Sequence, residues 1–291
     1  MSAGSLRRAT HARHVEQLFD TMERDGTPGW VTRARNFAVV VSSVKAGSVL
    51  ERDDNPDESM LILPPGVSAR IETAAGVLTS AGDSLSILPP GRMRVEAGDP
   101  GFVARIYSCN AEDIMARASN NDTYADGAPE VAALTPWPAP ADGFRLRHYD
   151  LAACDSPDPS PLKMRVFRST NLMVNIFLPW TKRRDERKLS PHWHDDFEQI
   201  SLGLQGTFLH HVRYPWTSDK TSWREDEHET HQSPSVFVIP ARAIHTSQDI
   251  GAGVARLIDV FGPPRPDFSL RPGFVLNADE YPMPSGRDER R

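Results

Sequence analysis

Cysteine is nearly missing from this chain: Cys109 and Cys154 are its only two, far apart and without a Cys-x-x-Cys spacing. That scarcity argues against a disulfide framework or a thiolate zinc site and fits a reducing cytoplasm. Long apolar runs are missing too. None approaches the roughly 18 residues that span a bilayer, and the N-terminus lacks the apolar centre of a secretory signal. Arg7, Arg8 and Arg13 look like a transit peptide only until Glu16, Asp20 and Glu23 follow. Positive charge is short as well, with a formal net charge of −6 and no basic stripe alternating with aromatics. A nucleic-acid surface therefore has little electrostatic support. The expectation is a soluble cytoplasmic protein that engages neither membrane nor nucleic acid.

Proline, by contrast, is plentiful. Its 25 residues interrupt the chain often enough to disfavour long helices and to favour short strands joined by turns. A length of 291 residues suits two domains of roughly 130 residues each. Val15, Leu18, Phe19 and Met22 stand at i, i+3, i+4 and i+7 ahead of Gly26 and Pro28, which predicts a short helix within an N-terminal segment, residues 1–35. From Asn36 the texture changes to strand-like runs at 37–41, 60–63 and 103–107, split by turn clusters such as Asp53-Asp54-Asn55-Pro56 and Pro89-Pro90-Gly91. An all-β domain over 36–119 follows. The polar, proline-rich stretch 120–142 reads as a connection, and strand texture returns over 143–281 as a second all-β domain. Pro282 to Arg291 reads as a charged, frayed tail.

The halves repeat each other. Glu198 to Gly206 aligns without a gap on Glu58 to Gly66, and Val238-Ile239-Pro240 followed by His245 aligns on Ile87-Leu88-Pro89 followed by Arg94. Two copies of one barrel explain this better than two unrelated folds.

Seven of the ten histidines fall between positions 192 and 245. In Pro191-His192-Trp193-His194 two imidazoles stand two apart, which on a strand places both on one face. A carboxylate or amide follows at Glu198 or Gln199, and His245 comes after a further strand and turn. Such a nitrogen-rich set with one oxygen donor suits iron, manganese, nickel, zinc or copper.

These residues resemble the two motifs of the cupin superfamily, G-x5-H-x-H-x3,4-E-x6-G and G-x5-P-x-G-x2-H-x3-N. The first runs here from His192 to Gly206 and the second from Pro240 to Asp249. Arg242 replaces the glycine of Pro-x-Gly, Asp249 the final asparagine and Pro234 the opening glycine. The resemblance implies a bicupin: two jelly-roll (double-stranded β-helix) barrels in tandem, the C-terminal one holding one divalent ion through His192, His194, His245 and a fourth ligand. Glu198 satisfies the three-residue spacer and Gln199 the four-residue one. Gln199 is preferred because Ile200, Leu202 and Leu204 then keep the motif's apolar alternation, with Glu198 as the alternative.

In the N-terminal half the matching positions hold Arg52, Asp54, Ser59 and Arg94. That barrel is expected to be degenerate and metal-free, covering its neighbour or building a homodimer interface. From Gly206 to Pro240 the C-terminal repeat is 11 residues longer than from Gly66 to Pro89. The extra length surrounds Trp216 and Trp223 and reads equally as a lid or a packed excursion. Trp216, Trp223, His210, His211 and Arg242 are the candidate substrate contacts. His228-Glu229-Thr230-His231 falls one residue short of H-E-x-x-H and reads as solvated. Thr181 to Lys188 is a charged loop able to draw an anionic substrate toward the barrel mouth.

A metal with open positions beside three or four protein ligands can meet a substrate or dioxygen. The leading expectation is a dioxygenase-type oxidoreductase, with iron(II) first and manganese, nickel or zinc after it, acting on a small aromatic or enol-like chelator. One rival is an isomerase or lyase that uses the metal as a Lewis acid on a sugar acid or hydroxy-acid. The other is a non-catalytic, ligand-binding bicupin.

Overall fold

A computed structural model describes residues 6–156 and 163–285 of the chain. In the N-terminal half, Ser59–Leu63 lies between Ser84–Leu88 and Gly101–Ser108 in a broad sheet. Facing it is a smaller sheet of Val49–Arg52, Met93–Ala97, Ala69–Thr73 and Gly76–Ser80. The C-terminal half repeats the plan. Gln199–Gln205 lies between Ser235–Ile239 and Arg256–Phe261, and the smaller sheet is Glu227–Gln232, Thr207–Arg213 and Ile244–Asp249. Register is preserved: Ser59 pairs with Leu88 as Gln199 pairs with Ile239, and Leu61 with Arg105 as Ser201 with Asp259. The architecture is two jelly-roll barrels in tandem.

Each central strand sorts its residues by the period of two. Met60 and Ile62 of one barrel, with Ile200 and Leu202 of the other, enter a buried layer that also holds Val39, Val41, Val236, Val238, Ile258 and Val260. Truncating one such side chain to alanine costs about 2–5 kcal/mol, so this layer locks the barrels face to face. The opposite face of each strand looks into its own barrel, and there the halves differ. Leu61, Leu63 and Val40 pack into an apolar cluster in the N-terminal barrel. Ser201, Gly203 and Asn175 stand at the matching register in the C-terminal one.

Edge strands are exchanged between the halves. Thr10–Arg13 pairs with Ser235–Ile239 and extends the C-terminal sheet, while Arg147–Asp150 pairs with Ser84–Leu88 of the N-terminal one. The connecting stretch wraps across both: the Ala132 carbonyl accepts from the Asn36 amide of the N-terminal half, while the Ala132 N–H donates to the Asp196 carbonyl and the Trp137 N–H to the Thr170 carbonyl of the C-terminal half.

The short helix expected near residues 15–22 does not form. Thr21–Met22 pairs instead with Pro28–Arg33 across a turn at Asp25-Gly26, where Gly26 adopts a φ of 84°. Asp-Gly is itself a hairpin signal, and Asp25 strengthens it by accepting from the Thr27 N–H. The Trp30 indole donates to the Gln17 and Leu18 carbonyls and Asp20 accepts from the Val31 N–H. These contacts hold the segment in a non-helical path, and Val15, Leu18, Phe19 and Met22 stay exposed. Of the expected tail, residues 286–291 lie outside the described residues. Among the described residues no helix is long and apolar enough to cross a membrane.

Candidate metal centre

His192 and His194 lie on an extended segment that bridges to Ile244–Asp249. His192 and His245 exchange both backbone hydrogen bonds, at 3.1 and 2.8 Å. This bridge gathers the imidazoles. One ring nitrogen from each of His192, His194 and His245 lies within 4.8 Å of the others, and the ring centres are 4.4, 5.0 and 5.1 Å apart. Two imidazoles on one ion, each with a metal–nitrogen bond of about 2.0–2.1 Å, stand roughly 5 Å apart centre to centre. The rings already have chelating separations.

Their orientation is fixed from behind. Nδ1 of His192 and of His245 lies 2.9 Å from a carbonyl two residues upstream, Ser190 and Ala243 respectively. A carbonyl only accepts, so each Nδ1–H donates and each Nε2 keeps a lone pair. Gln199 Oε1 stands 3.0 Å from His194 Nε2 and 3.3 Å from His245 Nε2. The amide is oriented by a chain: Gln199 Nε2 donates to Ser201 Oγ at 3.1 Å, and Ser201 donates to Asp259 Oδ1 at 2.7 Å. When the carboxyl is ionised it accepts only, so the hydroxyl proton points to it and the hydroxyl lone pair is left for the amide N–H. The amide oxygen then faces the histidines.

Burial pushes His194 down to about 2, with Arg265 adding to the effect, and His245 down to about 3, with His192 adding to it. Both rings are neutral near pH 7, the state that ligates metals. Burial also lifts the Asp259 carboxyl to about 7, against the Ser201 hydrogen bond. Three neutral imidazoles and one amide oxygen suit a divalent first-row ion, and the four residues fit it.

Glu198, the alternative fourth ligand, faces away. It accepts from the Arg35 N–H at 2.6 Å and the Tyr124 hydroxyl at 3.2 Å, and pairs with Arg7 at 2.8 Å. In the N-terminal barrel Arg52 pairs with Met93, as His192 bridges His245. Met93 therefore takes the place assigned to Arg94, its sulfur 3.9 Å from Ser59 Oγ. The segment after Pro89 is one residue shorter than that after Pro240, which shifts the alignment. Arg94 faces Glu96 and Glu72, Asp54 is exposed, and Arg52 is gripped by Asp113 at 2.8 and 2.9 Å.

The candidate substrate contacts divide. His210 is buried on the same barrel face as His245, with Nδ1 2.8 Å from Ser247 Oγ. His211 takes the opposite face and meets His228, Nδ1 to Nδ1, at 2.7 Å. Trp216 and Trp223 stack on each other at 4.3 Å, both exposed. Arg242 is exposed, and its backbone N–H donates to the His194 carbonyl at 2.6 Å. The solvated reading of His228 to His231 holds for His228 but not for His231, which is fully buried.

Sequence reasoning missed Phe197, Phe261 and Arg265. Phe197 stacks on His194 at 4.4 Å and Phe261 meets it edge-on at 5.7 Å, with the Arg265 guanidinium over both phenyl rings. A usable signal existed: Arg265 closely follows Arg256–Phe261, whose alternate residues Asp259 and Phe261 reach the site. Arg184, within the charged loop, donates to the Ser247 carbonyl at 2.6 Å and to Ser190 Oγ at 2.9 Å.

No protein-family model matches the sequence, and no curated protein matches it. Solved structures do. AerE from Microcystis aeruginosa is 9% identical with a TM-score of 0.55, the match covering 89% of this chain and 99% of that one. A mutant of Bacillus subtilis oxalate decarboxylase is 13% identical with a TM-score of 0.58, covering 94% and 84%. The formate complex of Lactobacillus farciminis oxalate decarboxylase is 16% identical with a TM-score of 0.54, covering 91% and 88%. The likeness is one of fold alone, extending over most of both chains.

Proposed function

We propose that this bicupin-fold protein is a metal-dependent enzyme whose C-terminal barrel uses one divalent ion as a Lewis acid on a small hydroxy- or oxo-acid. The observation that carries the reading is the contrast between the barrels. Four neutral donors converge in a polar interior in one, while Arg52, Ser59 and Met93 stand at the matching positions of the other.

A bound divalent ion would polarise a substrate oxygen chelated to it. His192, His194, His245 and Gln199 would hold the ion, with Ser201 and Asp259 orienting the amide. Arg265 bears electrostatically on all three imidazoles, and Arg184 on His192 and Asp259. Two cations beside an uncharged donor set favour an anionic substrate, and a guanidinium is well shaped to grip a carboxylate. Phe197 and Phe261 keep water from one side of His194. Two of the neighbours quoted above are named for a small dicarboxylate, oxalate, which agrees in chemical class. An oxygenase acting on an aromatic substrate draws less support, because Trp216 and Trp223 stack on each other at the surface.

The test is a screen of small hydroxy- and oxo-acids with manganese- and zinc-loaded protein under anaerobic conditions. Turnover without oxygen, retained with zinc and lost in His245→Ala, is expected. Turnover that requires both oxygen and a redox metal would restore the dioxygenase reading. Tight binding without turnover under either atmosphere would favour a ligand-binding module.

A further inference from the structure

Three histidines outside the metal centre gather where the N-terminal strand closes the C-terminal barrel. His231, on Glu227–Gln232, is wholly buried, and neither of its ring nitrogens has a hydrogen-bond partner among the described residues. Its ring centre lies 5.0 Å from that of His11, on Thr10–Arg13, and 5.2 Å from that of His210, on Thr207–Arg213. The imidazoles of the metal centre are 4.4–5.1 Å apart, so the spacing suits chelation here too. A buried polar atom without a partner costs about 1–3 kcal/mol, and this ring has two.

We propose that His11 and His231 bind a second divalent transition-metal ion of the class that favours imidazole, such as zinc or copper, with water completing its shell. His210 stands behind the site. Its Nδ1 is engaged by Ser247 Oγ at 2.8 Å, which leaves Nε2 for the second nitrogen of His231 after a small ring rotation. Both orphaned nitrogens then gain a partner, and the outer one has the acceptor that metal-bound histidines usually find. Burial pushes His231 down to about 3, so the ring is neutral and able to ligate. Glu229, paired with Arg13 at 2.7 Å, offsets the cation beside the site, and exposed His11 provides access. His11 belongs to the broad sheet of the barrel and His231 to the smaller one. An ion shared by the two staples the barrel along the seam where the N-terminal strand enters.

The test uses the full chain and Zn²⁺ alone, read by metal analysis after equilibrium dialysis. Wild type is expected to bind two ions per chain, the His192→Ala/His194→Ala variant one, and His11→Ala one. His11 is exposed, so its replacement leaves the fold intact. In the His192→Ala/His194→Ala background Zn²⁺ is expected to raise the melting temperature, and adding His11→Ala abolishes the shift. A His192→Ala/His194→Ala protein that binds no ion, or a His11→Ala protein that still binds as many ions as wild type, overturns the proposal. Failure of the first site alone looks different: His192→Ala/His194→Ala then matches wild type at one ion, and His11→Ala binds none.

Discussion

Glu58 and Glu198 stand at the same place in the two barrels, one residue before Ser59 and Gln199, and each is gripped by the opposite half of the chain. Glu58 accepts from the Thr170 N–H and hydroxyl, both at 3.1 Å, and from the Tyr281 hydroxyl at 2.8 Å. Glu198 accepts from the Arg35 N–H at 2.6 Å and the Tyr124 hydroxyl at 3.2 Å. An arginine covers each tyrosine, Arg147 over Tyr281 at 5.0 Å and Arg7 over Tyr124 at 4.5 Å. Burial raises the pKa of both carboxyls, against these hydrogen bonds and the nearby arginines. The repeat has thus kept a pair of reciprocal clamps while, among the described residues, only the C-terminal barrel gathers a set of side chains that could hold a metal ion.

Glu198→Ala takes one of two carboxylates from Arg7, which keeps Glu130 at 2.6 Å, and leaves the Arg35 N–H without its acceptor, a loss of about 1–3 kcal/mol. Urea unfolding should show that loss, while metal stoichiometry in the folded protein stays at the wild-type value. Gln199→Ala should do the reverse, weakening metal binding with little change in the urea midpoint. Loss of metal from Glu198→Ala at unchanged stability would make the carboxylate the ligand after all.

Ser201 touches Gln199 and Asp259, so Ser201→Ala unties the amide from the carboxylate. Outer partners of metal ligands are typically worth about 10–100-fold in affinity. A drop of that size in manganese affinity, measured by chelator competition, is expected with the melting temperature nearly unchanged. Ser201→Thr keeps the hydroxyl and should recover part of the loss; equal affinity in all three proteins would show that the amide needs no such support.

The fold was legible because strand alternation and turn residues act locally. Ile200 and Leu202 repeat the pattern of Met60 and Ile62, and the two short motifs placed four donors in order. Asp25-Gly26 is a hairpin signal that the helical spacing of Val15, Leu18, Phe19 and Met22 masks, since apolar spacing alone does not reveal whether a face is buried. Two further facts depended on tertiary structure. Glu198 and Gln199 differ only in facing, which the Arg7 and Tyr124 contacts decide from distant parts of the chain. The place of Met93 depended on a one-residue deletion after Pro89 that no local signal reports.

Acid stability should carry the mark of His14. Its ring stacks on Trp30 at 4.8 Å, neither nitrogen has a hydrogen-bond partner among the described residues, and burial depresses its pKa to about 3. A histidine whose folded pKa lies below its unfolded value of about 6.5 contributes stability fully above that value and loses it as the pH falls toward the folded pKa. Between pH 6.5 and 5 the loss is about 2 kcal/mol, at 1.36 kcal/mol per unit. His14→Phe keeps the stack and removes the proton site. The fall in urea-unfolding free energy from pH 7 to 5 should shrink by about that amount; an unchanged fall would mean that His14 titrates normally in the folded protein.

Arg242 separates a backbone role from a substrate role. Its φ of 68° lies in the left-handed region, where its counterpart Gly91 sits at 99°. A side chain there is disfavoured by roughly 1–2 kcal/mol, and glycine relieves that while losing some unfolded-state restriction, a net gain of about 0.5–1 kcal/mol. Glycine also keeps the N–H that donates to the His194 carbonyl. Arg242→Gly should therefore raise the melting temperature slightly and leave metal affinity alone, whereas Arg242→Ala, which keeps the Cβ, should show no such gain. Among the described residues the guanidinium donates to the Asp195 carbonyl alone, at 3.2 Å, and it is exposed, so KM should be the same in both variants as in wild type. A rise in KM common to both variants would instead assign Arg242 to the substrate, as the sequence suggests, and move carboxylate recognition away from Arg265 and Arg184.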